Sequence, residues 1–179
     1  MKKGVSVEEQ QFNICMERMR NGDKSALHEV YETYIGYIYN IILQVVQNKE
    51  DAEDVTSEFF IKLWKISDHF KSEHGHRAWL ASIARNMAID LLRKRKKEVL
   101  TEEFLEEATQ DNLEEKVIED ISLQQALSNL QNSEKEIVHL KICGALTFQE
   151  IAGILGIPFG TVTWRYQNAI KKLKRCGYE

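Results

Sequence analysis

Polar and cationic side chains crowd one short stretch near the end of the chain. Thr161, Thr163, Trp164, Arg165, Gln167 and Asn168 interleave with Val162, Tyr166, Ala169, Ile170 and Leu173, and Lys171, Lys172, Lys174 and Arg175 close the run. The apolar positions recur in steps of three and four, so they form the inward face of a helix and the polar set faces outward. Hydroxyls, amides and a guanidinium on one helix face can read base edges, and cations at its end can neutralise phosphates. An outward Trp164 needs a cover such as a thymine methyl, a sugar or a protein partner.

The elements that present this face are legible. Thr147-x-x-Glu150 is a capping box that opens a short helix with Ile151, Ile154 and Leu155 on its buried side. Gly156 permits a sharp reversal, and Pro158 suits the first turn of the next helix. Residues 147–173 therefore read as a helix-turn-helix whose second helix enters the major groove of DNA. A plain helical hairpin with a solvated face is the alternative.

A second concentration of titratable groups lies at His69, His74 and His76. No cysteine or carboxylate is spaced with them as metal ligation requires, so no metal site is expected. Cys15, Cys143 and Cys176 are far apart and odd in number, which indicates neither a disulfide framework nor a zinc knuckle. They read as thiols in a reducing compartment. Neither a GxSxG motif nor a phosphate-binding loop nor an acid–base constellation is present, so no catalytic residues and no cofactor are expected, and the chain does not read as an enzyme.

The chain has 179 residues, 43% of them hydrophobic, with one proline and nine glycines. So few breakers favour long helices, and strand-like alternation is lacking. The expected fold class is all-α: two small helical domains joined by an acidic linker, the second containing the helix-turn-helix. Domain one, residues 1–97, holds four helices. Ser6-x-x-Glu9 opens the first, which carries Phe12, Ile14, Met16 and Met19 and stops at Asn21-Gly22. Asp23 caps the second, with Leu27, Val30, Tyr31, Tyr34, Ile35, Ile38, Ile41, Ile42 and Val45 as its stripe. Asp51 caps a third that runs to about Ile66. The fourth carries Trp79, Leu80, Ile83, Ala84, Met87, Ala88, Leu91 and Leu92 and ends in five basic residues, Arg93 to Lys97.

Residues 98–120 are a linker of net charge −9, with a short helical patch expected around Phe104 and Leu105. Domain two, residues 121–179, begins with an apolar face formed by Ile121, Leu123, Ala126, Leu127 and Leu130, and a box Ser133-x-x-Glu136 opens its next helix, which Gly144 ends. The overall charge of −4 thus hides flanks of +2 and +3, and it is the local charge that a polyanion meets. With neither a signal-type apolar run nor a bilayer-length one, a soluble cytoplasmic protein without direct membrane insertion is expected.

The same residues carry a family likeness. Thr147-Phe-Gln-Glu-Ile-Ala-Gly-Ile-Leu-Gly-Ile-Pro-Phe-Gly-Thr-Val162 resembles region 4.2 of bacterial RNA polymerase sigma factors of the extracytoplasmic-function group. Asp51-Ala-Glu-Asp-Val-Thr-Ser-Glu-Phe-Phe-Ile-Lys-Leu-Trp64 resembles their region 2.2. Phe70, with Arg77-Ala-Trp-Leu-Ala-Ser-Ile-Ala-Arg-Asn-Met-Ala-Ile-Asp-Leu-Leu-Arg93, resembles regions 2.3 and 2.4. The likeness spans nearly the whole chain.

It implies a sigma factor that joins core RNA polymerase through its β and β′ subunits, directs initiation at promoter DNA, and is held inactive by an anti-sigma factor, one that could itself be membrane-anchored. It assigns Asp51, Asp54, Val55, Glu58, Phe59, Lys62 and Trp64 to the polymerase. It assigns the 70–76 loop and Asn86 to a −10 element with a flipped base, with Phe70, Lys71, His74, His76, Arg77, Arg85 and Arg93 around the strand. The −35 set is Thr147, Pro158, Thr161, Thr163, Trp164, Arg165, Gln167, Asn168, Lys171 and Lys172. The linker would thread toward the RNA-exit path, although a plain tether fits it equally.

Departures from the pattern lie at Thr163 and Asn168, where cations are frequent, at Trp164, where a small residue is usual, at Ser57, where glutamine is frequent, and at Leu130-Gln131 in place of Leu-Pro. They leave the fold intact and bear on the −35 sequence and on phosphate contact. Two rival readings stay open: a helix-turn-helix regulator that binds DNA alone, and a sigma-like partner or inhibitor.

Overall fold

The computed structural model describes residues 6–71, 75–102 and 129–175, and the secondary structure among them is helical throughout. Among the described residues seven α-helices follow one another: α1 Val7–Arg20, α2 Lys24–Val46, α3 Lys49–Lys65, α4 His76–Glu102, α5 Asn132–Ile142, α6 Phe148–Leu155 and α7 Phe159–Arg175, with a 3₁₀ turn at Ser67–His69.

Local chemistry sets the helix ends. The Ser6 hydroxyl accepts from Glu9 N–H at 3.1 Å and Asp23 accepts from Ser25 N–H at 2.9 Å. For α3 the cap is Asn48, which accepts from Asp51 N–H at 3.0 Å, so Asp51 lies inside the helix rather than at its start. The α4 helix continues to Glu102, five residues beyond the basic run, so the expected boundary after residue 97 falls within a helix. At α5 the residue that reaches back to the helix start is Glu134, accepting from Gln131 N–H at 2.9 Å, and not Glu136. The expected apolar face over residues 121–127 and the patch at Phe104 and Leu105 lie outside the described residues.

α1 to α4 enclose a core centred on Phe12, Met16, Ile38, Ile42, Phe59, Leu63 and Leu80, all buried. Burying each such side chain contributes roughly 1.5–3 kcal/mol. Tyr31, expected on the buried stripe of α2, is 40% exposed and lays its ring edge-on to Phe60. Arg18 ties α1 to α2 through Asp23 at 2.8 Å and Glu29 at 2.7 Å. α5, α6 and α7 pack about Ile137, Leu140, Leu146, Ile151 and Val162. Between α5 and α6, a side chain at Gly144 would stand 2.3 Å from the Leu140 carbonyl, so only glycine lets that turn close and bury Leu146.

The two helical groups are docked. α2 meets α5, α4 meets α6, and their apolar residues form one continuous cluster. Arg85 of α4 donates to Glu136 of α5 at 2.7 Å, with 19% and 24% of the two side chains exposed. His139 of α5 lies against the Asn40 main chain of α2.

Candidate nucleic-acid and polymerase interfaces

The helix-turn-helix is built as its residues require. Thr147 caps α6, its hydroxyl donating to Glu150 at 2.7 Å and accepting from Glu150 N–H at 3.3 Å. Gly156 ends α6 at φ 65°, the left-handed backbone that the turn needs. Pro158 stands immediately before α7, and its carbonyl accepts from Thr161 at 2.9 Å and Val162 at 3.2 Å. Val162 and Ala169 are buried, with Tyr166 and Leu173 packed beside them.

The outer face of α7 is a single exposed stripe: Gly160, Trp164, Gln167, Lys171 and Lys174. Trp164 at its middle is 64% exposed. Thr161, Thr163 and Arg165 flank it, half-buried. Thr163 Oγ1 lies within bonding distance of the Phe159 and Gly160 carbonyls, at 3.2 and 3.0 Å, and spends its proton on the helix. Asn168 and Lys172 turn away from the stripe. Both donate to Glu134 of α5, Asn168 at 3.1 Å and Lys172 at 2.7 and 2.9 Å. Glu134 is 3% exposed, and it accepts a main-chain N–H as well. Burial works against its charge, but the Lys172 ammonium and the donors around it win, and its carboxyl sits below the usual range. Sequence periodicity places Asn168 and Lys172 on the polar side of α7. It does not register an acid on another helix that claims them.

The α4 set divides in the same way. Asn86, Asp90, Arg93 and Lys97 make an exposed stripe at helical spacing. Phe70 is buried, its ring edge-on to Phe12 at 5.1 Å and tilted on Trp79 at 4.9 Å, so it anchors the segment it begins. His76 is buried and stacked on Phe12 at 5.1 Å. Burial holds its imidazole below the ordinary pKa, so at neutral pH it is an uncharged core ring and not a phosphate contact in this arrangement. Arg77 donates to Glu8 at 2.6 Å and lies over the Tyr37 ring. Arg85 is taken by Glu136. Lys71 is exposed, and His74 lies outside the described residues. Among the described residues no cluster of three or more His, Cys, Asp or Glu is placed to hold a metal ion.

On α3, Asp54, Glu58 and Lys62 face outward, whereas Val55 and Phe59 fill the core and Trp64 is half-buried against it. Asp51 is buried and forms a two-pronged ion pair with Arg95 of α4. Ile61 is 59% exposed between Glu58 and Lys62, and Ser57 and Lys65 complete the face. Sequence reasoning passed over Ile61. The available signal was an apolar residue at a position whose helical neighbours Asp54, Ser57 and Glu58 are all polar.

Among the described residues no helix is long and apolar enough to cross a membrane. The Sigma-70 region 2 model matches residues 30–98, and the Sigma-70 region 4 model matches residues 126–175. The chain is 28% identical over 174 residues to the ECF RNA polymerase sigma factor SigW of Bacillus subtilis, covering 89% of this chain and 93% of that protein. It is 30% identical over 167 residues to the ECF RNA polymerase sigma factor BldN of Streptomyces coelicolor, covering 89% of this chain and 63% of that protein. In fold it is similar to the sigma factor RpoE of Bartonella quintana, solved with the anti-sigma factor NepR, at TM-score 0.65 and 22% identity over 83% of this chain and 94% of that one. CnrH, solved with the cytosolic domain of CnrY, gives TM-score 0.63 at 22% identity over 92% and 96%. With region 2 matched over α2 to α4, region 4 over the helix-turn-helix, and relatives of one kind aligned across nearly its whole length, the chain belongs to the Sigma-70 family as an extracytoplasmic-function sigma factor.

Proposed function

We propose that this chain supplies promoter recognition to core RNA polymerase through three separate surfaces. The outer face of α3, with Asp54, Glu58, Ile61 and Lys62, docks on the coiled coil of the β′ subunit. The segment around Phe70 and Lys71 together with Asn86 and Arg93 of α4 holds the melted −10 strand. The α7 stripe of Trp164, Gln167 and Lys171, with Thr161 and Arg165 beside it, reads the −35 duplex. The carrying observation is that Asp54, Glu58 and Lys62 of α3, Asn86 and Arg93 of α4, and Gln167 and Lys171 of α7 are exposed polar residues on helices whose opposite sides are buried, in the order that regions 2 and 4 of the family impose.

Thr147, Pro158, Thr163, Asn168 and Lys172 then serve the −35 reader by shaping and seating α7. Asp51, Val55, Phe59 and Trp64 do the same for α3. The chain acts as an initiation factor in the cytoplasm, where the polymerase works, and the chemistry of RNA synthesis stays with the polymerase. Its restraint follows the pattern of RpoE, solved with the anti-sigma factor NepR: an anti-sigma factor covers the chain until a signal releases it.

Run-off transcription with purified core polymerase and a library of promoter fragments tests the proposal. Initiation at defined start sites that depends on this chain supports it. Sequence-specific DNA binding without polymerase would point instead to a stand-alone regulator, and competition for core without any transcript to an inhibitor.

A further inference from the structure

We propose that Arg20, in the last turn of α1, is a positioning residue for the main chain that enters the −10 site. The inference rests on the −10 assignment made above. Arg20 Nε donates to the Ser67 carbonyl at 3.0 Å, and its Nη2 donates to the Phe70 carbonyl at 2.7 Å. The Asp68 carboxylate, well exposed, stands 3.9 Å from Nε. These two carbonyls bracket the 3₁₀ turn that links α3 to the −10 segment. The Ser67 carbonyl closes the turn by accepting from Phe70 N–H at 3.4 Å and takes Arg20 Nε as a second donor on its other lone pair, while the Phe70 carbonyl lies past the turn, where a helix end leaves such groups to find partners elsewhere. A planar guanidinium presents donors in a fixed fork and can take two such carbonyls at once, which an ammonium cannot do with the same geometry.

Packing on the other side completes the clamp. The Phe70 ring is wedged between Phe12 and Trp79, so this residue is held by its side chain within the bundle and by its carbonyl on Arg20. Lys71 follows directly and is exposed. Arg20, Phe70 and Lys71 share an open cleft of about 670 Å³ with Asn13, Met16 and Asn21 of the α1 end. Asn13 Oδ1 is buried there without a hydrogen-bonding partner. Arg20 touches no base in this scheme. It fixes where the Phe70 main chain and the Lys71 ammonium stand, and hence which base of the melted strand fits against them.

The test uses holoenzyme reconstituted from core polymerase and full-length chain, with promoters carrying each of the four bases at each −10 position. Wild type, R20A, R20K and D68A are compared for open-complex formation. For R20A, discrimination between the best and worst −10 base falls about tenfold or more, the scale of a lost charge-assisted hydrogen bond. Binding to core polymerase and preference within the −35 element stay unchanged. R20K recovers part of the discrimination, and D68A behaves as wild type. Should R20A fail to fold, R20Q, which keeps an N–H donor on a shorter stem, is read in its place. If wild type discriminates at −10 and the Arg20 variants discriminate equally, the positioning role is refuted. If wild type shows no −10 preference at all, it is the −10 assignment that fails. A uniform loss of activity with the preference intact assigns Arg20 to stability and also overturns the proposal.

Discussion

Replacing Glu136 by alanine removes the Arg85–Glu136 ion pair between the two helical groups while leaving every proposed reading surface intact. The −10 and −35 elements lie about 25 base pairs apart by their designations, roughly 85 Å of duplex at 3.4 Å per step. Helices whose side chains meet at 2.7 Å across the α4–α5 contact cannot occupy both at once, so engagement of a promoter requires undocking. The Arg85–Glu136 bond is charge-assisted but partly wet, with 19% and 24% exposure, which places it at the low end of the ~1.5–3 kcal/mol range for such bonds. Its loss weakens docking by about 1.5 kcal/mol, equivalent to about tenfold in the docked-to-open ratio.

A ligand that binds only the open form pays for that ratio in its apparent affinity, so E136A should bind core polymerase and promoter about tenfold more tightly than wild type. Alanine is the best helix former, so α5 itself is unharmed. Equilibrium competition for core polymerase with a labelled sigma factor measures the change. An E136A chain of wild-type melting temperature with unchanged or weaker apparent affinity would refute the reasoning.

Other expectations follow from the geometry of α7. W164A removes an exposed side chain, so stability should stay within about 0.5 kcal/mol of wild type while −35-dependent initiation drops; thermal melting and transcription from −35 variants check the two halves. K171A and K172A should part company. Lys171 lies on the outer stripe, and its loss should lower the log–log salt slope of promoter binding by about one. Lys172 is bound to buried Glu134, and its loss should instead cost about 3 kcal/mol of stability, read by urea denaturation, with little change in slope. Because the folded Glu134 carboxyl is held below its ordinary value of 4.5, its contribution is fully present above that pH and is lost as pH falls through the lowered value. E134Q should flatten the acid limb of the stability–pH curve measured by thermal melting between pH 3 and 6, chosen to span roughly the titration range of carboxylates.

Several correct expectations rested on purely local signals. The capping pair Thr147 and Glu150, the left-handed Gly156 and the apolar steps through Val162 and Ala169 act within a few residues of one another, so a helix-turn-helix was legible without any partner in view. The same holds for the α2 stripe from Val30 to Ile42. Local signals failed where two candidates competed. Asn48 took the α3 cap from Asp51, and Glu134 took the α5 box from Glu136, while each losing acid pairs with a distant arginine.

The chain alone determined its helices, their buried faces and the family they belong to, since caps, breakers and a 3.6-residue period are written in neighbouring residues. Only the tertiary structure decided which polar groups are free to meet a partner. Asp51 and Arg95 are 44 residues apart, Arg85 and Glu136 are 51 apart, and Asn168 finds Glu134 across 34. A cation shows the same face of its helix in sequence whether or not an acid waits on another helix. Packing brought those acids within reach, so Lys171 and Asn86 remain exposed while Lys172 and Arg85 are occupied. It also docked α5 against α2 and the helix-turn-helix against α4, an arrangement in which apolar surface from both groups is withdrawn from water together.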